Sequence, residues 1–150
     1  MWGAFPLYWA LLNHVNPSEV LVHRILWSVP VLFILVYFKP SWLANFKSSI
    51  SSKKELLFLF LTAILITINW GAYILSVNLE RVVEASMGYF LSPVISMLGG
   101  YIFFHERISK LKQWAVFFAT IGALYYVFSG DSFPWLGLLI GLTFSSYGVA

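Results

Sequence analysis

Residues 56–75 read LLFLFLTAILITINWGAYIL, a run without a single charged side chain. A helix rises about 1.5 Å per residue, and the hydrocarbon core of a bilayer is about 30 Å thick, so about 20 apolar residues are enough to cross it. The most polar member of this run, Asn69, is uncharged. The stretch therefore predicts a membrane-spanning helix, and it sets the scale for dividing the rest of the chain.

Five further apolar runs surround this one, and two of them meet the ends of the chain. Because the hydrocarbon core offers no water, each run must satisfy its backbone internally, which a helix does within one segment. The sequence therefore predicts an all-α membrane protein, a polytopic bundle of five to six helices. The runs are residues 18–38, 85–104 and 114–128, with half a span at 2–12 and a run at 133–150 that is still apolar at its end.

The composition supports the same class. Hydrophobic residues make up 60% of the chain and charged residues 10%, against about 25% charged residues in an ordinary soluble domain. The absence of cysteine excludes a disulfide framework, a thiolate metal site and a cysteine nucleophile. The net charge of +3 does not indicate nucleic-acid binding, because the Lys and Arg residues lie between the apolar runs and not along one face.

Local signals predict where individual helices begin and bend. Pro17, Ser18 and Glu19 suit a helix start, with Ser18 as the capping hydroxyl and Glu19 near the positive end of the helix dipole. Pro30 predicts a kink in that helix and Pro93 a break in the fourth. Residues 39–55 are expected to form a polar loop.

The basic residues fall in alternate connections, which predicts an orientation. Cytoplasmic loops of membrane proteins carry an excess of Lys and Arg. We therefore expect a multi-pass protein of the plasma (inner) membrane with a cytoplasmic N-terminus and two basic cytoplasmic loops. Their basic residues are Lys39, Lys47, Lys53 and Lys54 in the first loop, and Arg107, Lys110 and Lys112 in the second.

Small residues recur four apart on two of the predicted helices, and such rows let helix backbones approach closely. We expect them to be packing positions. They are Gly88, Ser92, Ser96 and Gly100 on the fourth helix, and Gly137, Gly141 and Ser145 on the sixth.

An internal echo suggests a repeat. Residues 147–150 (YGVA) resemble residues 2–5 (WGAF) in character, which would make residues 1–130 a first five-helix repeat, its first helix truncated, and residues 131–150 the incomplete first helix of a second. An odd number of helices places the second copy on the opposite side of the membrane, so the two repeats would be inverted.

Three groups of residues carry a resemblance to a known family: His23, Arg24, Trp27 and Ser28; Asn69 and Trp70 with Val77 and Asn78; and the run from Glu84 to Phe90 that leads to Pro93. With weaker support from Glu106, Arg107, Trp114 and Gly122, the chain resembles the RarD group of EamA-like permeases in the drug/metabolite transporter superfamily. The resemblance implies ten helices in two five-helix repeats with both ends cytoplasmic. This chain departs from that pattern by starting inside the first helix and stopping inside the sixth, and by His105 where Gly is usual.

The resemblance implies a secondary permease for small organic solutes or drugs that works by alternating access. The expected partners are the lipid bilayer, a small organic solute and a coupling ion such as a proton, with no nucleic acid and no cofactor. If the chain acts alone, a homodimer of oppositely oriented copies would rebuild the cavity. The alternative is a non-transporting membrane assembly or sensory subunit. An enzyme is disfavoured, because no nucleophile and base, paired carboxylates or metal ligands occur at workable spacing.

Six residues are candidates for a substrate pathway: Arg24, Asn69, Trp70, Glu84, Ser86 and Tyr89. An arginine at the centre of a spanning helix costs about 2.5 to 3.5 kcal/mol on insertion scales and usually marks a pathway or an ion pair. Arg24 could instead snorkel to the headgroups or pair with Glu84.

Four of the other candidates also have a structural alternative. Glu84 could couple transport to protons, or it could simply favour the dipole of its own helix. Asn69 could bind solute or join two helices, Trp70 could stack on a solute or sit at the membrane interface, and Tyr89 could line the pathway or anchor the helix.

Overall fold

The computed structural model describes residues 5–39, 41–50, 52–105, 107–130 and 133–149. Four features used above lie outside the described residues: residues 2–4 of the 2–5 segment, Glu106, the proposed repeat boundary at residue 131, and residue 150 of the 147–150 segment. The described chain forms helices joined by short connections, and no strand occurs in it. The helices are α1 (Phe5–Ala10), α2 (Pro17–Phe38), α3 (Ser41–Ser49), α4 (Lys53–Asn78), α5 (Val82–Phe104), α6 (Lys110–Ser129) and α7 (Trp135–Val149).

Four of these helices are long and apolar enough to cross a membrane: α2, α4, α5 and α6, with 22, 26, 23 and 20 residues. Most of their apolar side chains are exposed in the isolated chain, and none of the residues of α6 is buried. Such surfaces suit lipid or further helices, because water would disfavour them. The prediction of an all-α polytopic membrane protein is confirmed.

Several local predictions were wrong. The expected polar loop 39–55 contains a helix, α3, and α4 begins within it, where Ser52 and Glu55 form a reciprocal capping box. The cap of α2 is Asn16, whose side chain accepts from the Ser18 N–H. An amide oxygen one residue before the proline reaches this N–H, whereas Ser18 already lies within the helix.

The prolines also behave differently from the expectation that one would break its helix. Pro30 lies inside α2 and Pro93 lies inside α5, and both helices continue through them. A proline removes one backbone hydrogen bond, and neighbouring turns in a membrane helix tolerate that loss. The fourth predicted span is therefore a single helix.

A tight turn joins α4 to α5. Glu80 adopts a left-handed conformation with a φ of 59°, the Glu80 N–H donates to the Val77 carbonyl at 3.0 Å, and the Arg81 N–H donates to the Ser76 carbonyl at 2.7 Å. These two bonds satisfy carbonyls that the end of α4 would otherwise leave open. The turn brings Arg81 and Glu84 to the start of α5, and we call this region of the molecule the Glu84 end.

Helix α7 packs against both α4 and α5 and completes the buried core. The core lies toward the Glu84 end, where α4 finishes and α5 and α7 begin. Its largest fully buried apolar side chains, Leu136 and Ile140, belong to α7. We call these three helices the α4–α5–α7 unit, since their contacts dominate the packing of the described chain.

Candidate functional site

The two rows of small residues meet where α5 crosses α7. A Cβ atom added to Gly88 would overlap the Gly137 carbonyl oxygen, and one added to Gly137 would lie 2.6 Å from the Glu84 carbonyl oxygen. Such backbone proximity is possible only without side chains. The predicted packing positions Gly88 and Ser92 are buried within this crossing, Gly100 is also buried, and Ser96 is partly buried.

Two hydroxyls add polar contacts along this crossing. The Ser145 hydroxyl lies 2.9 Å from the Ser92 carbonyl oxygen on α5 and 2.6 Å from the Gly141 carbonyl oxygen of its own helix. The Ser92 hydroxyl lies 3.1 Å from the Gly88 carbonyl oxygen. Serine is small enough for close approach, and its hydroxyl can bond a carbonyl within the helix or across the interface.

Asn69 is completely buried and joins all three helices of the unit. Its side-chain amide donates to the Ile140 carbonyl at 2.9 Å and to the Thr143 hydroxyl at 3.2 Å, while its oxygen accepts from the Tyr89 hydroxyl at 3.0 Å. The amide thus has partners for both its donor and its acceptor functions. This geometry matches the interhelical alternative for Asn69, and sequence reasoning missed Thr143 as its partner.

The Glu84 carboxylate lies at the start of α7 and is only 3% exposed. Its Oε1 atom accepts from the Leu136 N–H at 2.7 Å and from the Gly137 N–H at 3.2 Å, and its Oε2 atom lies 2.7 Å from Arg81 Nε. The first N–H groups of a helix have no partner within it, and the helix dipole favours an anion there. Glu84 therefore caps α7 as well as standing in the first turn of α5.

The suggested pair between Glu84 and Arg24 is not formed. Arg81 takes that place, because the α4–α5 turn holds it three residues before Glu84. Arg81 also donates to the Phe133 carbonyl at 3.4 Å, just before α7. The sequence signal for this pair is the spacing of three residues between Arg81 and Glu84, which places both on one helix face.

Ser86 lies away from this cluster. It is exposed, and its hydroxyl donates to the Val82 carbonyl one turn back on α5 at 3.0 Å. Serine hydroxyls commonly bond back to their own helix in this way. The structure does not bring Ser86 together with the other five pathway candidates.

Aromatic rings run across the bundle from α1 to α7. The successive edge-to-face contacts join Phe5, Trp70, Tyr73, Tyr89 and Phe144, with centroids 5.5 to 6.2 Å apart. Such pairs have favourable quadrupole geometry and stiffen their surroundings. Two pathway candidates, Trp70 and Tyr89, belong to this aromatic row.

Arg24 lies over the face of Trp70, with its guanidinium carbon 3.3 Å from the ring centroid. This is a stacked cation–π contact directed to a neighbouring helix, which differs from a side chain extended toward the headgroups. Within the described part of the chain, Arg24 has neither an ion pair nor a hydrogen bond. The π face of Trp70 is therefore the contact that the described residues provide for this charge.

A cavity of about 480 Å³ opens beside Arg24, between α1 and α2. We call it the α1–α2 cavity; it is lined by Tyr8, Trp9, Leu12, Val15, Val20, His23, Arg24 and Trp27. Asn78, at the end of α4, donates to the Asn13 carbonyl between the two helices at 3.3 Å, so the cavity belongs to the Glu84 end. No group of three metal-ligating side chains occurs among the residues that the structure describes.

Comparisons with known proteins agree on one family. The sequence model of the EamA-like transporter family matches residues 1–128. The chain is 40% identical over 152 residues to the uncharacterized transporter YojE of Bacillus subtilis, covering 100% of this chain and 51% of the relative. It is 32% identical over 149 residues to protein RarD of Escherichia coli, covering 99% and 50%.

A further relative is the chloramphenicol-sensitive protein RarD of Pseudomonas aeruginosa, which is 32% identical over 145 residues, covering 95% of this chain and 48% of the relative. The chain therefore spans about half the length of the curated relatives that it matches. No solved structure matches it.

Proposed function

The chain belongs to the EamA-like transporter family, and from that premise we propose that it forms part of a secondary permease for small organic solutes or drugs. The family and the transporter names of its relatives indicate a membrane transporter and not an enzyme. The mechanism that we propose is alternating access, in which one group of helices rocks against another around a central site.

The observation that carries this proposal is the contrast between two parts of the bundle. The α4–α5–α7 unit is held by close backbone contact, a buried amide and a capping carboxylate. Beside it, α1 and α2 enclose an open cavity that contains an arginine. Alternating access needs a rigid unit next to a polar cleft whose walls can move.

We also propose that residues 1–130 are a first five-helix repeat and residues 131–150 the opening of an inverted second repeat. Under this proposal the first helix of the second repeat, α7, packs against two helices of the first repeat, α4 and α5. In a carrier of two inverted repeats, one helix of each repeat would pack against the other repeat in this way. A homodimer of oppositely oriented copies would be the alternative way to assemble two such halves.

The candidate residues divide by their contacts. We assign Arg24 and Trp70 to the solute pathway, because Arg24 lines the α1–α2 cavity and Trp70 contacts its guanidinium. Asn69, Tyr89 and Glu84 act mainly by holding the rigid unit together, which also fixes the wall of the pathway. Ser86 has contacts only to its own helix among those described, so we give it no part in solute binding.

For localisation we propose the inner (plasma) membrane, with the N-terminus and the two basic connections in the cytoplasm. Proton coupling through Glu84 is a second hypothesis, since a buried carboxylate in a membrane protein can act in proton relays. Its amide and guanidinium partners offer a structural explanation of the same carboxylate. Transport by Glu84→Gln measured against pH separates the two, because a profile that flattens relative to the unsubstituted protein would assign coupling to Glu84.

Flux in reconstituted vesicles tests the permease proposal. The protein is inserted into liposomes, and uptake of labelled solutes is measured by counterflow, with chloramphenicol and amino-acid-like solutes in the panel. Counterflow above that of protein-free liposomes for at least one solute is the expected result. Absence of flux for every amphiphilic and amino-acid-like solute would favour the non-transporting assembly or sensory subunit.

A further inference from the structure

We propose that the α1–α2 cavity binds the carboxylate group of a small organic anion, with Arg24 as the cationic anchor and the Trp9 indole as a second donor. This inference rests on the proposed transport function and narrows its substrate class. The ligand that fits is a carboxylate attached to an apolar or aromatic body.

The first argument is the state of Arg24. Its guanidinium carbon lies 3.3 Å from the centroid of the Trp70 ring. This contact with the π face uses none of the N–H bonds of the guanidinium as hydrogen-bond donors to an oxygen. Those bonds form a planar fork that matches a carboxylate in a bidentate contact. Among the described residues no carboxylate lies within ion-pair distance of Arg24, so none of them supplies an anion for this fork.

The second argument is independent and comes from Trp9. Its side chain is 8% exposed, and its indole Nε1 is buried without a hydrogen-bond acceptor in the described structure. Buried donors are nearly always paired, and an unpaired one costs about 1 to 3 kcal/mol. Trp9 and Arg24 line the same cavity. We therefore expect one ligand bearing two acceptor oxygens to bond both, with the covered indole Nε1 turning toward the cavity on binding.

The remaining walls define the rest of the ligand. None of the residues that line the cavity is acidic, so a cation would find no carboxylate there and would be repelled by Arg24. Tyr8 and Trp27 supply aromatic surface, and Leu12 and Val15 supply aliphatic surface. A cavity of about 480 Å³ lies within the range of small-molecule sites. An anion with an apolar body therefore matches the charge, the surface and the size.

The same oxoanion chemistry could come from a lipid headgroup phosphate. We assign the site to a soluble carboxylate, because the cavity joins Arg24 to a buried indole donor and not to a basic cluster at the membrane surface, which is the usual pattern for anionic lipid. Changing the lipid composition of the bilayer distinguishes the soluble carboxylate from the lipid headgroup experimentally.

Calorimetric titration of the protein in phosphatidylcholine nanodiscs tests the site directly. The three probes share one body and differ in charge: 3-phenylpropionate, 3-phenylpropionamide and 3-phenylpropylamine. The carboxylate is expected to bind at least about tenfold more tightly than the neutral amide, as for a charge-assisted hydrogen bond, and the amine is expected not to bind. Equal affinity for carboxylate and amide, or no binding of the carboxylate, overturns the proposal.

Substitutions then assign the selectivity to the two donors. Arg24→Gln should weaken carboxylate binding by about 10- to 100-fold and leave amide binding within about twofold. Arg24→Lys should retain part of the preference, because it keeps the charge and loses the fork. Trp9→Phe should weaken carboxylate binding by about 3- to 10-fold, since it removes the N–H and keeps most of the ring. The ratio of carboxylate to amide affinity is the decisive quantity, because a loss of folding would lower both.

Matched controls are available elsewhere in the chain. Arg107→Gln and Trp114→Phe change the same residue types at exposed positions outside the cavity, and both should preserve the carboxylate preference. A preference unchanged by both Arg24→Gln and Trp9→Phe overturns the assignment of this cavity. Repeating the titration of the unsubstituted protein with phosphatidylglycerol in the nanodiscs tests the lipid source. If this lipid abolishes the carboxylate binding that depends on Arg24, the site is assigned to lipid and not to a soluble carboxylate.

The permease proposal and this inference fail differently. Selective carboxylate binding without solute flux in liposomes would leave the anion site standing and remove the transport function. Flux that does not distinguish the carboxylate from its amide, together with unselective binding, would retain the permease and remove the anion site.

Discussion

Glu84 on α5 accepts a hydrogen bond from the backbone N–H of Leu136 on α7, with 2.7 Å between the two atoms. The same carboxylate pairs with Arg81, which the α4–α5 turn holds in place. One side chain therefore connects the turn, the start of α5 and the first turn of a helix more than 50 residues later. It serves as a lock between the proposed first repeat and the opening of the second.

This lock predicts a graded loss of stability. Glu84→Gln keeps an oxygen that can accept from Leu136 but loses the ionic contact to Arg81, and we expect a cost of about 1 to 2 kcal/mol. Glu84→Ala removes the acceptor of two buried N–H groups and the carboxylate that pairs with Arg81, and we expect about 3 to 5 kcal/mol. Thermal unfolding in detergent measures both. The exposed helix-start variant Glu19→Gln is the control and should cost less than about 1 kcal/mol; equal effects of Glu19→Gln and Glu84→Ala would contradict the lock.

The contact between Gly88 and Gly137 predicts that a change from glycine to alanine destabilises the protein at position 88 and stabilises it at position 122. Gly88→Ala forces a methyl group against the Gly137 carbonyl, so α5 and α7 must separate, at a cost of about 1 to 3 kcal/mol. Gly122→Ala on α6 meets nothing within 4 Å and should stabilise the protein by about 0.5 to 1 kcal/mol, because alanine favours the helix. Unfolding temperatures of the two variants relative to the unsubstituted protein provide the measurement. A stabilising Gly88→Ala would mean that the two backbones are not in contact.

The helices themselves followed from hydrophobic run length, because a bilayer leaves little choice of structure to an apolar segment of about 20 residues. The small-residue rows lie on the faces of α5 and α7 that meet, as Gly88 and Gly137 illustrate. Both signals depend on local spacing. Local spacing also indicates a helix start, although the cap of α2 proved to be Asn16 and not Ser18.

Pairing between distant residues could not be read from the sequence. Asn69 reaches Thr143, 74 residues away. Trp9 and Arg24 line one cavity because α1 and α2 both pack against α4. From the sequence, a carboxylate in the first turn of a helix could stabilise the dipole of its own helix or cap another helix. Glu84 lies in the first turn of α5 and also caps α7. Such contacts depend on which helices are neighbours, and spacing within one helix carries no information about that.

The buried amide of Asn69 predicts a specific coupling to Tyr89. Asn69→Leu leaves the Thr143 and Tyr89 hydroxyls and the Ile140 carbonyl short of a partner, and we expect a loss of about 2 to 4 kcal/mol from several buried polar groups. Tyr89→Phe removes a single hydroxyl and should cost about 0.5 to 1.5 kcal/mol.

Because both substitutions act on one hydrogen bond, a double-mutant cycle between Asn69→Leu and Tyr89→Phe should show non-additivity of at least about 0.5 kcal/mol. Unfolding of the four proteins in detergent gives the coupling energy. Pairing Tyr89→Phe instead with Thr120→Val on α6, which is remote from this network and bonds only its own helix, should give additive effects. Additivity of the Asn69 and Tyr89 substitutions would remove Asn69 from the connection between α4 and α5.

The basic connections predict the orientation of the whole bundle, and the cysteine-free sequence makes the test direct. Single cysteines at Lys54 and Lys110 mark the connections expected in the cytoplasm, and those at Glu19 and Ser129 mark the opposite side; all four positions are exposed. A membrane-impermeant maleimide applied to intact cells should label the cysteines at 19 and 129, and it should label those at 54 and 110 only after permeabilisation. Because the helices alternate in direction, one inverted pair would imply that all spans are inverted. Labelling of position 54 or 110 in intact cells would therefore place the Glu84 end, with its capping carboxylate and the α1–α2 cavity, on the cytoplasmic side.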